Sequence, residues 1–156
     1  EMADIDRPLT PRGRDDAARM GGTIAKREPL PDVVLCSPSV RTRETLEYAS
    51  LPGNRETIFN PAIYHAPAKQ ILAAIRTLPD ACGHVLVVGH NPGFHDLALK
   101  LAAPDESDPD ALRQIMKKFP KGALACFELD IDAWRDARFG RGRLSDFVRP
   151  KELRPG

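Results

Sequence analysis

The sequence has no long apolar run, few aromatic residues and almost no net charge. Its apolar runs extend over only a few residues each, which excludes a membrane-spanning helix. Aromatics make up 6% of the 156 residues, and 23 Lys and Arg stand against 22 Asp and Glu for a net charge of +1. The basic residues are interspersed with acidic ones, so no basic stripe offers itself to nucleic acid or to an anionic membrane surface. The opening stretch EMADIDRPLT lacks the apolar centre of a secretory signal. Cysteine is scarce: Cys36, Cys82 and Cys126 are odd in number and far apart. Cys36 and Cys126 lie inside apolar runs, where a free thiol behaves as a small hydrophobe. That usage carries no disulfide framework and fits a reducing, cytoplasmic setting.

Several familiar chemistries are missing as well. There is no G-x-S-x-G elbow, Walker loop or G-x-G-x-x-G fingerprint. His90 and His95 miss the i, i+4 zinc-protease spacing, and Cys82, His84, His90 and His95 match no zinc-finger spacing. Cys36 is separated from Arg41 by four residues and from Arg43 by six, one too few and one too many for a cysteine phosphatase.

What is present is an ordinary globular composition, 42% apolar and 29% charged, on a chain long enough for one domain with a real core. Residues 11–26 carry a helix signature: Thr10 to cap, Pro11 at the first position, Asp15 and Asp16 toward the positive end of the dipole, and Ala17, Met20 and Ile24 at helical spacing. Gly21 and Gly22 within it point to close packing on a neighbour. DVVLCS reads as a buried strand, and residues 39–51 as a helix capped by Ser39 with Val40, Leu46 and Ala49 inward. TIFNPAIYHA is extended, PAKQILAAIRTLP an amphipathic helix and HVLVVGH the clearest buried strand. Phe94, Leu97, Ala98 and Leu101 mark another helix. APDESDPDALRQIMKKFP reads as a surface loop with a short helix, GALACFELD as a strand, and RLSDFVRP as an edge strand.

Strands alternating with helices, and strands without polar alternation, predict a three-layer α/β/α sandwich around a mainly parallel sheet. Ligands of such folds sit beyond the carboxyl ends of the strands. SPSVRTRET and GHNPG both fall at that edge. Arg41, in the first turn after CSPS, reads as an anion binder, where free backbone N–H groups and the helix dipole already favour phosphate. The bland alternative is a solvated helix arginine. His90 reads either as a reactive imidazole at a strand exit or as a polar residue of a helix-starting turn. Lys121 and Gly122 suit a turn, Arg12 and Arg43 solvated helix positions, and Thr45 a local cap; His65 falls near the substrate mouth.

The stretches LTPRGRDDA, VVLCSPSVRTRET, IYHAPAKQIL, VLVVGHNPGF and FPKGALACFELD occur in that order. Together they resemble the SixA-type phosphohistidine phosphatases of the histidine phosphatase superfamily, which share the phosphoglycerate mutase-like fold, over nearly the whole chain. The resemblance implies a single domain spanning residues 1–156 and a phosphate-transfer site without metal or cofactor. It implies that a histidine in an Arg-His-Gly or Arg-His-Ala motif attacks phosphorus and is itself phosphorylated before water releases phosphate. His90 matches the second family histidine and Arg41 the family arginine, and Asn91 adds its backbone N–H to the phosphate site. The nucleophile motif ends a first, central strand and is expected upstream of Glu1, since no Arg-His dipeptide occurs from Glu1 onward. The implied substrate is a phosphorylated protein or a small phosphorylated molecule. A non-catalytic phosphate-binding module of the same fold is the rival reading.

Overall fold

Thr10 starts the first helix as the sequence predicts: its Oγ1 accepts a 3.0 Å hydrogen bond from the Gly13 N–H in the computed structural model, which describes residues 2–156. The elements follow as α1 (Pro11–Ala25), β1 (Val33–Cys36), α2 (Val40–Ala49), β2 (Glu56–Phe59), α3 (Ala68–Ile75), β3 (Val85–Val88), α4 (Gly93–Leu101), α5 (Pro109–Lys117), β4 (Leu124–Leu129), β5 (Gly142–Val148) and α6 (Pro150–Leu153). Among the described residues, no helix is long and apolar enough to cross a membrane.

The α/β class and its parallel strands are as expected. β1 lies between β2 and β3, all parallel, with Val33 opposite Glu56 and Val85, and Cys36 opposite Phe59 and Val88. Val33 and Leu35 join α3 and α4 in one core through Ile71, Ile75 and Leu97. Val34 and Cys36 point to the opposite face by strand alternation, the side on which Leu46 of α2 meets Val34. The layers are therefore helix pair, sheet, helix pair. A smaller core under β5 gathers Ala98, Ala111, Ile115, Leu144 and Phe147.

The sheet is divided in a way that periodicity does not reveal. β4 and β5 form a separate antiparallel pair, with a register shift between Cys126 and Phe127, and β5 is the expected edge strand. No ladder joins β3 to β4; between them runs a cleft of about 610 Å³ lined by Val85, Val87, Leu124, Cys126 and Phe127. The expectation that β3 is the clearest buried strand is corrected: every one of its residues is only partly buried because its free edge borders this cleft, whereas all four of β1 are buried.

One local expectation is corrected and one is extended. Val40, Leu46 and Ala49 are half-buried, and the fully inward residue of α2 is Thr42. Asp16 does more than favour the dipole: it accepts from Arg154 at 2.8 Å, tying the C-terminus to α1. The double glycine resolves into two roles. A Cβ on Gly21 would lie 2.0 Å from the Ala49 carbonyl oxygen, whereas one on Gly22 would meet nothing. Only Gly21 lets α1 and α2 touch.

Candidate active site

The carboxyl ends of three parallel strands converge, and hydrogen bonds across their exits fix the edge. Ser37 N–H donates to Val88 O at 3.0 Å, and Asn60 N–H to Cys36 O at 2.9 Å. Ser39 caps α2 through Thr42 N–H, and the buried Thr42 hydroxyl donates to Ser37 O at 2.6 Å. The CSPS turn is thus clamped from both sides, and Arg41 leaves it in the first turn of α2. Thr45 makes the local contact expected of it, donating to Arg41 O. Cys36, beneath this turn, is completely buried, and burial pushes its thiol up to about 11.

His90 leaves β3 beside Ser37, its Nε2 2.8 Å from Ser37 Oγ. Burial, then the neighbouring His65 and Arg41, hold the imidazole down at about 4, so it is neutral at physiological pH. The flanking glycines are demanded by contact. A Cβ on Gly89 would lie 2.3 Å from the Phe94 ring, and one on Gly93 2.0 Å from Ala66 O. Asn91 turns its side chain away from this point: it donates to Phe119 O at 2.7 Å and accepts from His95 N–H at 3.2 Å. Its carboxamide therefore shapes the loop. Arg43 also turns outward, donating to Pro38 O and lying over the Phe59 ring.

The third exit, after β2, brings His65, which the sequence placed near the substrate mouth, and Tyr64, which sequence reasoning passed over. Asn60 caps a short 3-10 turn over Pro61–Ile63, accepting from Ala62 N–H at 2.9 Å. The turn delivers Tyr64 and His65 to the edge, His65 in the left-handed region at φ 49°. Their rings stand 5.2 and 5.0 Å from the His90 ring. Asp4 completes the group. Its carboxylate accepts from both Arg41 guanidinium nitrogens at 3.2 and 3.3 Å, from Tyr64 OH at 2.6 Å, and lies 2.8 Å from His65 Nε2. Donation from Tyr64, Arg41 and His65 holds this carboxyl far below the usual carboxylate range. Neither Asp4 nor Tyr64 carried a sequence signal: one is an exposed acid near the start of the chain, the other a tyrosine in a segment read as extended.

The fold and this edge define an α/β protein that holds a carboxylate between an arginine, a tyrosine and a histidine, with a second, neutral histidine beside it. Comparison with known proteins narrows the class. Residues 2–64 match the histidine phosphatase superfamily (branch 1). An uncharacterized protein of Mycobacterium tuberculosis, Rv1276c, is 32% identical over 150 residues, covering 96% of this chain and 93% of the relative. The structure of a protein assigned as the phosphohistidine phosphatase SixA from Nakamurella multipartitia superposes with a TM-score of 0.85 at 29% identity, over 96% of this chain and 88% of that one. A protein histidine phosphatase SixA complexed with tungstate gives 0.75 at 25% identity, over 99% and 91%. The chain belongs to the histidine phosphatase superfamily and is of the SixA type.

Proposed function

We propose that this protein is a phosphatase acting on phosphohistidine, or on a related phosphoramidate or phosphomonoester, through a covalent phosphohistidine intermediate. The observation that carries the reading is the meeting of Arg41 and His90 at the carboxyl edge of parallel strands, around a point where an anion is already held. The neighbours' assignment as SixA phosphatases supports the substrate class.

Phosphoryl transfer leaves little covalent work to the protein and much positioning and charge balance. A histidine nitrogen attacks phosphorus as the bond from phosphorus to the leaving group breaks, and the leaving group departs with a proton. Water then attacks the phosphohistidine, releasing inorganic phosphate and the free imidazole. Arg41 offers two parallel N–H donors to the equatorial oxygens. His90, neutral before substrate arrives, serves as a hydrogen-bond donor, and an arriving dianion favours its protonated form. The Asn91 backbone N–H joins them. Charge balance rests on these groups, without metal or cofactor.

The attacking histidine belongs, in this reading, to the segment preceding Glu1, on a strand seated between β3 and β4 within the same domain. Two observations support that seat. The facing edges of β3 and β4 border an apolar cleft, which is the surface a paired strand covers. A strand parallel to β3 also ends at the carboxyl edge, where Asp4 lies. A cytoplasmic location is part of the proposal and is supported by three cysteines free of disulfides. The partner is a phosphorylated protein or a small phosphorylated molecule.

The test is incubation of the full-length protein with a phosphohistidine peptide, followed by phosphate assay and by trapping of the phosphoenzyme. Phosphate release together with an acid-labile, base-stable phosphoenzyme supports the proposal. Saturable phosphate binding without release would make the protein a binding module instead.

A further inference from the structure

Three donor side chains on two segments converge on one carboxylate that belongs to the protein itself. Arg41 comes from α2, Tyr64 and His65 from the turn after β2, and the acceptor, Asp4, from the 3-10 turn at Asp4–Asp6. Arg41 also donates to the Asp4 backbone carbonyl at 3.0 Å. A guanidinium fork, a phenol and an imidazole around a shared anion are a set of donors suited to tetrahedral oxyanions as well as to carboxylates. His65 reaches it from a left-handed backbone conformation that a residue with a Cβ seldom adopts, a form of strain that clusters at ligand clamps. The His90 ring, 5 Å from both the tyrosine and histidine rings, forms the inner wall.

We propose that Arg41, Tyr64 and His65 form the cradle for the substrate's phosphoryl group, and that the Asp4 carboxylate is its internal stand-in, which phosphate displaces. The proposal rests on the phosphatase reading and extends it: it assigns Tyr64 and His65 as substrate-positioning residues and makes phosphate binding compete with the 3-10 turn at Asp4–Asp6. The short 3-10 turn at Asp4–Asp6 that carries the stand-in is exposed throughout, so it leaves the cradle without opening a core. Asp4 stays ionised across the working pH range, which makes the competition insensitive to pH from its side. The Nη1–Nη2 edge of Arg41 is released to the ligand only when Asp4 moves, because Asp4 engages both of those nitrogens.

The test is calorimetric titration of inorganic phosphate into the full-length protein and into Asp4→Asn, Asp4→Ala, Tyr64→Phe and His65→Asn, with circular dichroism to confirm the fold of each. A stand-in that holds the cradle about nine-tenths of the time lowers apparent affinity about 10-fold, so both Asp4 variants are expected to bind phosphate about 10-fold tighter. Tyr64→Phe and His65→Asn, the latter chosen because asparagine tolerates the left-handed region, are expected to bind it several-fold more weakly. Wild-type binding that weakens or stays unchanged on removing Asp4 overturns the displacement proposal while leaving the phosphatase reading intact. Unchanged affinity in Tyr64→Phe and His65→Asn removes those two from the cradle. If no form binds phosphate, the reading of this edge as a phosphate site fails.

Discussion

Gly93 couples the packing of the fold to the shape of the site, and replacing it with alanine tests both. The residue opens α4 directly after the His90 loop, and its Cα rests against the carbonyl of Ala66, the residue that follows His65. An alanine Cβ there would lie 2.0 Å from Ala66 O and 3.1 Å from Ile71 Cδ1. A carbon and a carbonyl oxygen sit comfortably at about 3.3–3.6 Å, so the two segments must part by more than ~1 Å. Overfilling a packed site costs about 1–3 kcal/mol, and an obstacle made of backbone places this case near 3 kcal/mol. For a domain of this size each kcal/mol moves Tm by about 2–4 °C, which gives an expected fall of about 6–12 °C. The same displacement widens the gap between His65 and His90, so phosphate affinity falls as well. Differential scanning calorimetry and phosphate titration of Gly93→Ala read the two effects. A Tm within about 2 °C of wild type would refute the reasoning, because the contact would then absorb a methyl group at less than ~1 kcal/mol.

Three further outcomes are expected. Arg41→Ala removes a charge-assisted fork worth about 1.5–3 kcal/mol, so phosphate or vanadate affinity should drop roughly 10- to 150-fold by titration; unchanged affinity would remove Arg41 from the site. Gly21→Ala and Gly22→Ala should have opposite signs in thermal melts. The first drives a Cβ into Ala49 O at 2.0 Å, while the second meets nothing and gains about 0.5–1 kcal/mol of helix stability; equal effects would contradict the packing of α1 on α2. Stability should also decline as pH falls from 6.5 toward 4. Above 6.5 His90 is neutral folded and unfolded, whereas below it the unfolded chain takes up a proton that the folded site, at about 4, refuses. His90 is only half-buried and is surrounded by Arg41, His65, Tyr64 and Asp4, so solvent screening limits the loss to about 1–2 kcal/mol. Denaturant titrations should show this decline in wild type and not in His90→Gln.

Local signals were legible where local chemistry decides the structure. Thr10 and Ser39 cap the helices they precede because a side-chain oxygen three residues before an open N–H needs no tertiary help. Arg41 and His90 stood out because strand exits are recognisable from apolar runs that stop at Ser-Pro and Gly-His. Tyr64 and His65 were harder: TIFNPAIYHA breaks at Asn60, whose cap on a 3-10 turn swings the next residues onto the sheet edge. Asp4 was illegible, since its meaning lies in partners 37 to 61 residues away. Periodicity likewise identifies β3 and β4 as strands, but it reports which residues are apolar and not which strands are neighbours. It could not show that the two face each other across a cleft.

Cys36 gives this site a relation to oxidants unlike that of phosphatases built on a thiolate. The reactive form of cysteine is the anion, and peroxide silences low-pKa thiols by carrying them to sulfenic acid and beyond. Here burial raises Cys36 to about 11 and moves Cys82 and Cys126 upward too, so at neutral pH the thiolate fraction is negligible at all three. Their sulfurs are structural ballast rather than redox sensors. The chemistry proposed for the neighbouring edge, resting on imidazole, guanidinium and phenol, is expected to continue through a burst of peroxide that would silence a thiolate enzyme.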